Sequence, residues 1–179
     1  MTQIHSLAVF CGSKSGNNPL FESDAKVLGA ILAKKGITLI YGGGNKGIMG
    51  AVANAVLENK GKVFGVMPVL LKEFEHHHEG ITELVIVEDM HIRKKILYGK
   101  CDAAIILPGG FGTLDELFEM LTWNQLNIHN KKIFILNTAG FYDHLLAHAK
   151  MMAQENFLYD SIEDRLTVLT SPMEIEAFL

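Results

Sequence analysis

An apolar run, a glycine turn and a carboxylate one helical turn later follow without a break at Leu107-Pro108-Gly109-Gly110-Phe111-Gly112-Thr113-Leu114-Asp115-Glu116. The chemistry this pattern suits is capture of a phosphate beside a reactive acid. Glycines let backbone N–H groups approach an anion, and a helix starting there adds unpaired donors and the positive end of its dipole. Glu116 lies three residues past Thr113. On a helix the two side chains share a face, so whatever a held phosphate carries would pass Glu116. Asp115 is the weaker acid candidate, because successive helix residues point apart and an acidic first turn is also good dipole chemistry.

A second glycine turn, Tyr41-Gly42-Gly43-Gly44-Asn45-Lys46-Gly47, again leads from an apolar run into helix-period sequence, and its Gly43 and Gly44 join the candidate ligand contacts. Glycines there also suit close packing of helix on sheet, so both readings stand. Neither turn is a dinucleotide fingerprint: the segment after Phe10 lacks the three-glycine spacing, and no acid closes the second apolar run. Lys46 is followed by Gly47 rather than by serine or threonine, so the Walker pattern fails as well. The pair Arg93-Lys94 opens a helix-period segment at the end where a basic pair opposes the dipole, which favours function over a solvated helix start. His91 could protonate a departing group or simply make local hydrogen bonds. His76-His77-His78 invites a metal, but adjacent loop residues rarely supply the geometry, and no metal or cofactor is expected.

These residues need elements to position them. Short apolar runs alternate with helix-period segments along all 179 residues, the pattern of βαβ units and of an α/β, Rossmann-like, doubly wound parallel sheet of about seven strands in a single domain, 1–179. Strands are expected at 6–10, 38–41, 62–66, 83–87, 103–107, 132–136 and 166–169. Helices are expected from Pro19 to before Gly36 and over 47–58, 90–98, 113–125 and 142–155, with a terminal helix capped by Ser171, Pro172 and Glu174. The longest irregular connection is 69–80. In such a sheet ligands gather outside the carboxyl ends of the strands, so the loops beginning at Cys11, Gly42, Met67, Glu88 and Pro108 are expected to converge.

Composition narrows the partners. A net charge of −4 with no basic block argues against nucleic acid or a membrane surface, and no apolar run approaches the ~20 residues a bilayer requires. A small ligand and a cytoplasmic setting are expected. Cys11 and Cys101 have neither metal nor redox spacing and read as reduced, buried thiols.

Pro108-Gly109-Gly110-Phe111-Gly112-Thr113 with Glu116, taken with Met90-His91-Ile92-Arg93-Lys94, closely resembles the LOG ("lonely guy") family of cytokinin riboside 5′-monophosphate phosphoribohydrolases, many of which carry the older label "lysine decarboxylase-like". The likeness runs through Phe10-Cys11-Gly12-Ser13, Tyr41-Gly42-Gly43-Gly44, Gly65-Val66-Met67-Pro68 and Trp123-Asn124-Gln125-Leu126. It implies a Rossmann-like subunit, usually a homodimer with the second subunit completing the site, that cleaves a nucleoside 5′-monophosphate such as AMP, or its N6-modified relatives, to base and ribose 5-phosphate. The resemblance puts the catalytic pair on Arg93 and Glu116. It puts substrate contacts on Glu75, Lys94, Gly109, Gly110, Phe111, Gly112, Thr113, Leu114, Asp115 and Thr122. Phe21 stands where the family commonly has an aromatic hydroxyl, and the histidines after Glu75 fall where the family varies.

Glycosidic cleavage builds positive charge on the ribose, so Glu116 is expected as a carboxylate that stabilises it, with Arg93 clamping charge and Lys94 adding attraction for phosphate. A decarboxylase would need pyridoxal phosphate on a reactive lysine, and no lysine-plus-acid arrangement for it stands out. The competing expectation is a non-catalytic carrier of a phosphorylated ligand such as molybdenum cofactor.

Overall fold

The computed structural model describes residues 3–72 and 77–179. Seven strands, β1 (Ser6–Phe10), β2 (Thr38–Tyr41), β3 (Val63–Pro68), β4 (Glu83–Val87), β5 (Ala103–Ile106), β6 (Lys132–Leu136) and β7 (Leu166–Leu169), make one sheet in the order β4-β3-β2-β1-β5-β6-β7. Every pairing is parallel. Helices α1 (Leu20–Lys34), α2 (Gly47–Glu58), α3 (Val69–Lys72), α4 (Met90–Lys100), α5 (Phe111–Gln125), α6 (Asp143–Gln154) and α7 (Ile162–Arg165) connect them.

The inner strands β1, β2, β3, β5 and β6 read as apolar runs because both their faces are covered. Leu7, Val9, Leu39, Tyr41, Ile105, Phe134 and Leu136 face one core with α1 and α2. Their alternates Ala8, Phe10, Ile40, Ala104, Ile106, Ile133 and Ile135 face a second core with α4 and α5. On the first face α1 and α2 approach closely at Gly29, where a Cβ would lie 2.7 Å from the Val52 carbonyl oxygen.

The strand order reverses at β1, which has β2 on one side and β5 on the other. The loops leaving β1 and β5 therefore start side by side, and Gly12 N–H donates to the Pro108 carbonyl at 3.0 Å. This crevice is the switch point at which doubly wound sheets bind ligands.

The expected and observed elements differ at a few ends. α5 begins at Phe111, two residues before the expected start, because Gly110 is extended (φ −100°, ψ −155°) and serves as the N-cap. Pro68 is the last residue of β3 rather than a break before it, a strand end where its missing N–H costs little. The terminal segment Pro172–Ala177 is a 3-10 helix rather than an α-helix. Its cap nonetheless forms: Ser171 Oγ accepts from Met173 N–H, and Glu174 accepts from the Thr170 amide and hydroxyl. The one-turn helices α3 and α7 carry no amphipathic period for sequence reading to detect.

The connection into β4 is held by His78, which is buried. Its backbone N–H donates to the Gly43 carbonyl at 3.0 Å, and Gly80 N–H donates to its Nδ1 at 3.1 Å. Nδ1 is therefore unprotonated, and Nε2 is left to donate to Asn54 Oδ1 at 2.9 Å. Burial lowers the pKa of this imidazole, in keeping with a neutral ring. Among the described residues no cluster of three metal-ligating side chains forms; His76 lies outside them.

A folded-state pKa below the unfolded value of about 6.5 stabilises the fold above that pH, and the contribution is lost as pH falls toward the folded value. The midpoint of thermal unfolding should thus drop between pH 7 and pH 5. His78→Gln should flatten part of that slope, leaving the share due to His129, whose pKa is also lowered, first by burial and then by Lys131. An unchanged slope in His78→Gln would show that the ring is not held neutral.

Candidate active site

A cavity of about 550 Å³ opens at the carboxyl edge of the sheet, over the switch point. The loop after β1 supplies Gly12, Ser13 and Lys14, the loop after β2 supplies Gly42, and the turn after β5 supplies Pro108 through Thr113. Arg93 reaches it from α4 and Glu116 from α5, so the two residues expected to do chemistry face one space.

The floor is the start of α5. The first bond of that helix runs from Leu114 N–H to the Gly110 carbonyl at 3.1 Å, which leaves the amides of Phe111, Gly112 and Thr113 outside the helical ladder. The glycines around this floor have separate causes. A Cβ at Gly109 would come within 2.2 Å of Thr113 Oγ1 and 2.9 Å of the Gly12 nitrogen, so packing demands its absence. A Cβ at Gly110 or Gly112 would meet nothing within 4 Å. Packing does not require glycine at those two positions, and both line the cavity, where the open space suits a ligand that comes close to the backbone.

Arg93 is buried at 6% exposure. Its Nη2 donates to the Gly42 carbonyl at 3.1 Å and its Nη1 lies 3.7 Å from Met90 Sδ, while Nε has no hydrogen-bond partner among the described residues. A guanidinium held this way keeps its charge and has a donor in reserve. Gly42 is what makes room for it: a Cβ there would lie 2.1 Å from Nη2. The basic pair at the start of α4 is offset by Asp89, the N-cap, whose Oδ1 accepts from Ile92 N–H at 2.8 Å. Glu116 is half-buried in the cavity wall.

Other expected contacts lie elsewhere. Lys94 is absent from the wall; its Nζ sits 3.1 Å from Asp115 Oδ2 and 3.0 Å from Glu119 Oε2, between α4 and α5. Burial would lower its pKa, but the two carboxylates more than offset that and the net shift is upward. Leu114 packs into the core beneath α4 and α5. Gly43 and Gly44 hold the connection into β4, through His78 and through a bridge to His77. Thr122 donates to the Phe118 carbonyl at 2.7 Å and lines a separate groove of about 200 Å³ between α5 and α6. His91 is exposed, and Glu75 lies outside the described residues.

Sequence reading missed Phe141. It follows β6, with Ala139 and Gly140 at positive φ turning the chain, and it packs edge-on against Phe21 with ring centroids 5.4 Å apart to wall one side of the cavity. The signal was available, since β6 ends at the same edge as the other loops.

Two substitutions separate these glycine roles. Gly42→Ala should displace Arg93, lower stability by about 1–3 kcal/mol because a buried charged donor loses its carbonyl partner, and cut turnover about 100-fold. Gly112→Ala should be neutral to stabilising by up to ~1 kcal/mol while weakening a phosphate-bearing ligand. Thermal melts beside calorimetric titration check both; a Gly112→Ala protein that binds as wild type would sink the amide-cradle reading.

The family model described as "Possible lysine decarboxylase" matches residues 49–177. A "Probable cytokinin riboside 5′-monophosphate phosphoribohydrolase" of Oryza sativa subsp. japonica is 46% identical over 152 residues, covering 85% of this chain and 68% of the relative. The cytokinin riboside 5′-monophosphate phosphoribohydrolase of Rhodococcoides fascians is 40% identical over 166 residues, covering 91% and 83%. Among solved structures, the molybdenum cofactor binding protein of Rippkaea orientalis superposes with a TM-score of 0.73 at 20% identity, covering 99% of this chain and 96% of that one, a likeness of fold.

Proposed function

The chain belongs to the LOG family, to which the lysine-decarboxylase model also answers, and from that premise we propose that it hydrolyses the N-glycosidic bond of nucleoside 5′-monophosphates. Water adds its hydroxyl to the anomeric carbon and a proton to the departing base, giving free base and ribose 5-phosphate. The observation that carries this reading is that Arg93 and Glu116, from two different helices, line one cavity with the open amides of α5.

In this reading the 5′-phosphate seats on the amides of Phe111 to Thr113, beside Gly109 and Gly110, which directs the sugar past Glu116. As the bond to the base lengthens, the Glu116 carboxylate stabilises the oxocarbenium-like ribose and orients water. Arg93, which cannot give up its proton near neutral pH, clamps negative charge and fixes the geometry. Phe21, Phe141 and Met49 give the cavity an apolar side suited to a base. AMP and its N6-modified, cytokinin-type relatives are the substrates we assign.

Thr122 supports a homodimer. It lies six residues beyond Glu116, about 9 Å along the helix axis, and outside the cavity of its own subunit. If it contacts nucleotide, as the family resemblance implies, that nucleotide is in the second subunit's site. We place the protein in the cytoplasm; Cys11 and Cys101 are buried thiols, and burial pushes the Cys101 thiol up to about 11. Among the described residues no helix is long and apolar enough to cross a membrane.

Decarboxylation does not fit these residues. Lys14, the lysine of the cavity wall, is exposed, whereas a Schiff-base lysine needs desolvation to lose its proton. The carrier alternative draws on fold alone, and a carrier has no use for a carboxylate placed one turn past a phosphate cradle.

Incubation with AMP should release adenine and ribose 5-phosphate, and adenosine, lacking the phosphate that positions the sugar, should turn over at least about 100-fold more slowly. Glu116→Gln should cut kcat by about 100- to 1,000-fold while AMP still binds. Chromatography of the released base reads both; unchanged turnover in Glu116→Gln overturns the assignment.

A further inference from the structure

The two helices that carry the chemistry are tied together at the residues next to it. Lys94 follows Arg93 on α4, and Asp115 precedes Glu116 on α5. Lys94 Nζ bridges Asp115 Oδ2 at 3.1 Å and Glu119 Oε2 at 3.0 Å, and Tyr98 OH donates to the same Glu119 oxygen at 2.7 Å. Lys94 and Tyr98 are four residues apart on α4, and Asp115 and Glu119 are four apart on α5. Each pair forms one stripe on its helix, so the contacts make a two-rung ladder along the seam. Neighbouring helix residues differ by about 100°, so the stripes face each other while Arg93 and Glu116 turn toward the cavity.

We propose that Lys94 is a positioning residue, fixing α4 against α5 through Asp115 and Glu119 so that Arg93 and Glu116 meet across the cavity. The activity readout of this proposal rests on the hydrolysis assigned above. A phosphate-binding role fits the geometry less well. The ammonium has three protons and two carboxylates already take two of them, its side chain is only 12% exposed, and it is absent from the cavity wall. The Asp115 side chain is 56% exposed, and ion pairs with a partner open to solvent stabilise folds little, so the value of the ladder lies in register rather than in strength. Register matters because catalytic groups on separate helices lose their alignment with any slide of one helix past the other.

Four variants test it. Lys94→Met should lower kcat on AMP about 10- to 100-fold, the scale of a misplacement near 1 Å, with KM within about threefold and the preference for AMP over adenosine kept. Asp115→Asn with Glu119→Gln should reproduce that loss, and adding Lys94→Met to the pair should cost nothing more, since all three serve one contact. Lys94→Arg, which keeps a cation between the carboxylates, should restore most of kcat. A tenfold rise in KM with kcat kept and the AMP preference collapsed would make Lys94 a phosphate ligand and overturn the proposal. A carboxylate pair variant with wild-type kcat would overturn it too.

The single tryptophan provides a second readout. Trp123 packs edge-on against Tyr98 with ring centroids 5.1 Å apart, so its emission reports the ladder whether or not turnover is seen. If the wild-type protein cleaves no monophosphate, the hydrolase reading fails by itself. The ladder is then judged on emission: a common shift in Lys94→Met and the carboxylate pair, absent in Lys94→Arg, supports it, and no shift overturns it. If Lys94→Met does not fold, the comparison of Lys94→Arg with the carboxylate pair decides.

Discussion

A guanidinium taken out of water cannot relieve the cost by losing its proton, so the protein around it must be arranged to keep it there. Arg93 imposes that constraint here. The carbonyl it uses belongs to Gly42, and the space it fills exists only because Gly42 has no side chain. That carbonyl sits just past β2, beside the central strand β1, while Arg93 itself comes from α4, which begins after the edge strand β4. One hydrogen bond thus joins the middle of the sheet to a helix that starts at its rim. The Asp89 cap is part of the same arrangement, because it offsets a positive helix end beside a cation.

Glu116 meets Arg93 by a different route. It stands on α5, which begins directly after β5, and β5 pairs with β1 on the side opposite β2. The two side chains therefore arrive from opposite sides of the switch point, and the crevice between them is where the sheet leaves room. A reaction that develops positive charge on a sugar while an anion holds it in place needs both signs of charge in a dry, fixed space. Neither helix alone could provide that.

Much of this was legible in the chain. Apolar runs at β1, β2, β4, β6 and β7 match their observed limits, whereas the fully buried β3 and β5 differ by one or two residues at their ends. The turn that brings Glu116 to the cavity was legible too, since Pro108 to Glu116 is contiguous and needs only a strand, a turn and a helix. What escaped was the direction of side chains on neighbouring positions. Arg93-Lys94 reads as one basic pair, but a step of about 100° sends one residue to the cavity and the other to the seam. Thr122 likewise depends on which way α5 turns after Glu116. Phe141 enters from a loop with no motif, placed only by the shared edge at which parallel strands end.

The glycines give the sharpest case of what a motif does not say. Gly42, Gly109, Gly110 and Gly112 look alike in sequence and would be read as one phosphate-binding signature. The space beside each differs: a side chain at Gly109 would strike Thr113 and the neighbouring loop, one at Gly42 would strike Arg93, and one at Gly110 or Gly112 would strike nothing. Absence of a side chain serves the fold in the first case and a charge in the second. In the last two, nothing in the protein itself asks for it. The residues that least need to be glycine for folding are those whose amides line the cavity, and that is where a bound phosphate would supply the missing reason.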